Sequence, residues 1–144
     1  MNDALESLLA DPEQAGVVMV EPVAIEAIAQ AAQALDFVMR RVDLRPCVDA
    51  EAALQALARA LELPEWFGGN WDALADSIND LSWLPGERYL LLLEHADGWR
   101  NRDAVGFDTL LEILRNATEF WAEIGVPFWT VIATDAQLPD PALP

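Results

Sequence analysis

Asp72, Asp76, Asn79 and Asp80 recur at helical-turn spacing and fall on one polar side of a predicted helix that Asn70 caps and that runs to about Leu81. Carboxylates in a row on a rigid element present negative charge to a cation, a metal ion or a basic protein. On the other side, Trp71, Leu74, Ile78 and Leu81 stand at i, i+3, i+7 and i+10, an apolar face for a core. Like charges at i and i+4 cost a helix roughly 0.2–0.5 kcal/mol. The helix dipole partly excuses Asp72 in the first turn, but not Asp76 or Asp80. The next basic residue along the chain after this helix is Arg88. A merely solvated helix face has the same pattern, so the acids alone leave a partner and plain solvation equally open.

The preceding loop, residues 64–69, puts Trp66 and Phe67 beside Gly68 and Gly69, with little bulk to bury both rings. Trp66 is expected to stay partly exposed next to the acids, and Phe67 to plug the core. Aromatic anchors flanked by charge are what binding hot spots look like.

An enzyme reading gathers Asp72, Asp76, Glu94 and the sole histidine, His95, into a metal-assisted hydrolase. Its support is thin. Glu94 and His95 are adjacent and should point to opposite faces of a strand end, unlike ligands spaced at i and i+4. No glycine-rich phosphate loop or nucleophile-elbow serine is present. No cofactor, metal or catalytic residue is expected.

The elements that must position the acids follow from periodicity. Residues 1–10 read as a short helix with Leu5, Leu8 and Leu9, closed by Asp11 and Pro12, and Val17–Val20 as a strand. A helix over residues 23–35 carries Ile25, Ile28 and Leu35. Residues 37–44 form a second strand candidate. Asp49 caps a helix to about Leu61 with Leu54, Leu57 and Leu61 as its stripe. Tyr89–Glu94 is a continuous apolar run, the sign of a central parallel strand covered on both faces. A loop with Asp97 and Gly98 leads to a helix over residues 104–124, and Phe128–Ala133 is the last strand. Alternating strands and helices predict a three-layer α/β fold with a mainly parallel sheet of three strands, and a possible fourth from the N-terminal segment.

At 144 residues, one domain is expected. Eight Lys+Arg against 25 Asp+Glu give a net charge of −17, which repels nucleic acid and anionic membrane and attracts basic proteins. The single cysteine, Cys47, allows no intramolecular disulfide and reads as a buried thiol. The acidic N-terminus lacks signal-peptide order, and the longest apolar run is far short of a membrane span. A soluble, cytoplasmic protein, a monomer when free, is expected.

Residues 64–74 resemble the loop and second-helix signature of the barstar family, inhibitors of barnase-type ribonucleases, and residues 80–85 resemble the segment that follows in its proteobacterial branch. The element order over residues 37–134 is similar too. The resemblance implies a domain over residues 37–134; residues 1–36 lie outside it and are expected to pack an added strand and helix on it, and the prolines near the end make residues 135–144 a loose tail. It implies a chain that inserts its loop and helix into the active site of a basic ribonuclease, its carboxylates taking the place of RNA phosphates. By position, Asp76 would occupy the main phosphate subsite, against the enzyme's arginines and catalytic histidine. Asp72 would pair with a basic rim residue, with Asp80 further along the same acidic side. Trp66 would stack, while Gly68 and Asn70 offer backbone contacts. Glu119 or Glu123 would add a carboxylate from the long helix. Gly69, Trp71 and Ala75 depart from the pattern and would retune which ribonuclease is recognised. The alternative is a non-catalytic acidic module for another basic partner, such as a deoxyribonuclease toxin or a regulatory protein.

Overall fold

The computed structural model describes residues 3–63 and 69–135. Trp66, Phe67, Gly68 and most of the tail lie outside the described residues, so what was expected of them has no structural counterpart here.

Four strands, β1 (Val17–Val20), β2 (Val38–Asp43), β3 (Tyr89–Glu94) and β4 (Phe128–Ala133), form one sheet in the order β1-β4-β3-β2. Every pairing is parallel, with Val38 opposite Tyr89, Tyr89 opposite Phe128 and Val17 opposite Thr130. The fourth strand is therefore real and stands at the edge beside β4. The central strands β3 and β4 are apolar on both faces because both faces are covered. Leu91, Leu93, Phe128 and Ile132 meet α3 (Ala50–Ala60), α4 (Trp71–Ile78), α5 (Asp97–Arg102) and α6 (Ala104–Glu123) on one face. Leu90, Leu92, Trp129 and Val131 meet α1 (Asp3–Ala10) and α2 (Ile25–Ala34) on the other. Trp129 Nε1 donates to the Leu9 carbonyl at 2.9 Å and ties α1 to β4. Three layers result, as expected.

Two local expectations need correction. The segment after β3 is not a loop: α5 forms there around one buried anchor, Trp99, which is wholly inaccessible and packs edge-on to Phe107 at 5.4 Å. One anchor in six residues makes no periodic signal. The acidic helix is also shorter than predicted. It closes at Ile78, Asn79 caps it, and Leu81 takes a left-handed backbone conformation (φ 52°). That conformation costs roughly 1–2 kcal/mol. It turns Leu81 into the core at 1% exposure, a burial worth about 1.5–3 kcal/mol that offsets the cost.

Candidate functional site

Helix α4 is fastened at both ends. At its start the Asn70 side chain accepts from the Ala73 N–H at 2.8 Å. At its end Trp121 Nε1 of α6 donates to the Ile78 carbonyl at 3.0 Å. Leu74, Ser77 and Ile78 are fully buried, and Trp71 is half-buried, stacked on Trp99 with ring centroids 6.5 Å apart. The helix therefore cannot turn about its axis, and its outer side is set.

On that side Asp72 and Asp76 are exposed one turn apart, a rise of about 6 Å. Neither has a hydrogen bond or ion pair among the described residues. Asp80 is exposed too, but it follows the cap and lies in the turn before Leu81, not on the helix. Glu119 and Glu123 are exposed on α6. Glu119 stands about 200° around that helix from Trp121, which reaches α4, and no bond joins it to α4. Asp72 and Asp76 are thus brought together, whereas Asp80 and Glu119 belong to other elements.

Three of the eight basic residues are engaged elsewhere. Arg40 meets Glu62 at 2.7 Å, and Arg41 meets Glu26 at 3.0 Å and Glu94 at 2.9 Å. Arg45 approaches His95 Nε2 at 2.7 Å. Two hydrogen bonds from Arg41 hold the Glu94 carboxyl below its ordinary value. The hydrolase quartet is not assembled: Glu94 and His95 are paired with arginines, while Asp72 and Asp76 lie on α4. Among the described residues no group of three or more His, Cys, Asp or Glu could hold a metal ion. Cys47 is buried, and burial pushes its thiol up.

Two supports of the site had no clear sequence signal. Trp99 backs the Trp71 ring from α5. A groove of about 540 Å³ runs between α3 and the start of α4, lined by Glu51, Leu54, Gln55, Ala58, Gly69, Asn70 and Trp71. The α3 contribution follows helical spacing and could have been found as a second stripe beside the core stripe. Gly69 has φ 74°, a left-handed conformation that glycine suits, at the turn that delivers Asn70 to its capping position.

The family model described as Barstar (barnase inhibitor) matches residues 37–133, from the approach to β2 through the end of β4. No curated protein matches the chain. The matched region contains α4, its cap and its Trp121 tether, and excludes α1, β1 and α2. Among the described residues no helix is long and apolar enough to cross a membrane.

Proposed function

The chain belongs to the Barstar (barnase inhibitor) family, and on that premise we propose that it blocks a basic ribonuclease by presenting the α4 carboxylates where RNA phosphates would bind. The observation that carries this reading is the Asp72–Asp76 pair. It is exposed, unpaired among the described residues, and held on a helix that is capped at one end and tethered at the other.

A ribonuclease site is a cationic cleft that neutralises phosphates. Two carboxylates one turn apart on a fixed helix can meet such a cleft with little ordering cost. In this reading Asp76 faces the cleft's arginines and histidine, and Asp72 meets a basic residue at its rim. Asn70, Gly68 and Trp66 contribute from the loop, and Asp80 and Glu119 from neighbouring elements. No step of this requires the chain to be an enzyme or to touch nucleic acid. The net charge of −17 speeds encounter with a basic partner.

The test is a titration into a barnase-type ribonuclease while cleavage of a short RNA is followed, at low and moderate salt. Stoichiometric inhibition that weakens with salt and collapses in Asp76→Ala is expected. A folded wild-type protein that leaves cleavage untouched overturns the reading, and the same titration against a basic deoxyribonuclease then tests the alternative partner.

A further inference from the structure

The groove beside α4 has a chemistry of its own. Its volume of about 540 Å³ falls within the roughly 300–1,000 Å³ of clefts that enclose ligands. Glu51, Leu54, Gln55 and Ala58 stand at i, i+3, i+4 and i+7 and line one wall over about 10 Å of α3. Gly69, Asn70 and Trp71 form the other wall. Ala58, the indole and the edge of the otherwise buried Leu54 supply apolar surface, Gln55 and Asn70 supply amides, and Glu51 supplies a carboxylate. Glu51 is exposed, and among the described residues it has no ion pair and no basic side chain lines the groove. The indole is fixed from behind by Trp99, so the surface it offers is already ordered.

We infer that this groove receives an arginine side chain of the basic partner, its stem along Leu54 and Ala58 and its guanidinium between Glu51 and the Trp71 indole. The inference rests on the inhibitor reading for its partner and adds a contact outside the α4 carboxylates. A planar guanidinium stacks on an indole and bonds a carboxylate and an amide oxygen together, which the point charge of a lysine does less well. An anion would meet Glu51 in the field of a −17 protein. A wholly apolar occupant would cover Glu51 with nothing to pair it.

The test separates the groove from the nuclease. N-acetyl-arginine amide is titrated into isotope-labelled protein, with N-acetyl-citrulline amide, the uncharged near-isostere, as control. Saturable shifts are expected at the amides of Glu51, Gln55 and Asn70 and at the Trp71 indole N–H, with the arginine compound only. Gln55→Arg should abolish them. That exposed substitution sets a guanidinium one turn after Glu51 in the favourable order and fills the groove from within. Equal shifts with both compounds, or shifts confined to Asp72 and Asp76, overturn the inference whatever the nuclease assay gives. In the complex, Glu51→Gln should weaken inhibition roughly tenfold, while the free protein loses only the small first-turn dipole contribution of Glu51. An unchanged inhibition constant shows that the partner does not use the groove, and leaves the α4 carboxylates standing. Arginine binding without any inhibition keeps the groove and removes the ribonuclease.

Discussion

Among the described residues Asp76 has no cation of its own, and two changes at its helix bear on binding and on folding. Asp76→Ala removes a like-charge neighbour of Asp72, so the unfolding free energy should stay level or rise by roughly 0.2–0.5 kcal/mol. Inhibition should fall at least about 30-fold, as for a hot-spot residue. Denaturant melts beside the cleavage assay measure both, and a parallel loss of stability would make Asp76 a structural residue instead. Asn70→Ala acts on the fold as well as on the binding surface. It strips the Ala73 N–H of its acceptor and should cost about 1 kcal/mol of stability. At this scale the sequence was readable where one residue's role is local: a cap, a buried face, an exposed acid at helical spacing. It misled at Asp80, because a left-handed turn at Leu81 ends the helix early and only the core contact of Leu81 makes that turn worthwhile.

Between elements, the Arg41 guanidinium ties β2 to β3 through Glu94 and to α2 through Glu26. Because Arg41 donates to it, the Glu94 carboxyl is lowered in the folded state relative to the unfolded chain. A depressed carboxylate stabilises the fold fully above the ordinary glutamate range, and that contribution is lost as pH falls through the lowered folded value. Arg41 stays charged throughout and adds no slope. Stability should therefore decline below about pH 4, and Glu94→Gln should flatten that part of the acid limb while lowering stability at neutral pH. Thermal melts between pH 3 and pH 7 (a range set by ordinary carboxylate titration, about 4) check it; parallel wild-type and variant curves would contradict it. None of this pairing was legible beforehand. Arg41 stands 53 residues from Glu94, and the parallel register that sets Asp43 opposite Glu94 is a product of the sheet.

Taken whole, the molecule depends on a layer that lies outside the matched family region. Leu9, Ile25, Ala29 and Ala32 of α1 and α2 cover Leu90, Leu92, Trp129 and Val131, all close to fully buried. Each large side chain laid bare forfeits roughly 1.5–3 kcal/mol, and four of them rival the whole stability of a typical domain, about 5–15 kcal/mol. Deleting residues 1–36 should yield a chain that aggregates or binds a hydrophobic dye and loses its cooperative melt. A monomeric product melting within a few degrees of the full chain would make this layer dispensable. The charge acts at the same scale: the association rate with a basic partner should drop steeply with salt, while dissociation changes little.

By itself the sequence determined the strands β1, β3 and β4 to the residue, the caps at Asp49 and Asn70, the apolar side of α4 and the family resemblance. Each of these rests on neighbours within a turn or a strand, where side-chain type and spacing dictate backbone geometry. Tertiary structure alone decided the sheet order, the covering of the second face by residues 3–34, the helix built around Trp99, the early end of α4 and the groove against α3. These depend on contacts between residues far apart in the chain, whose free energy appears only once the layers are packed and water has left between them.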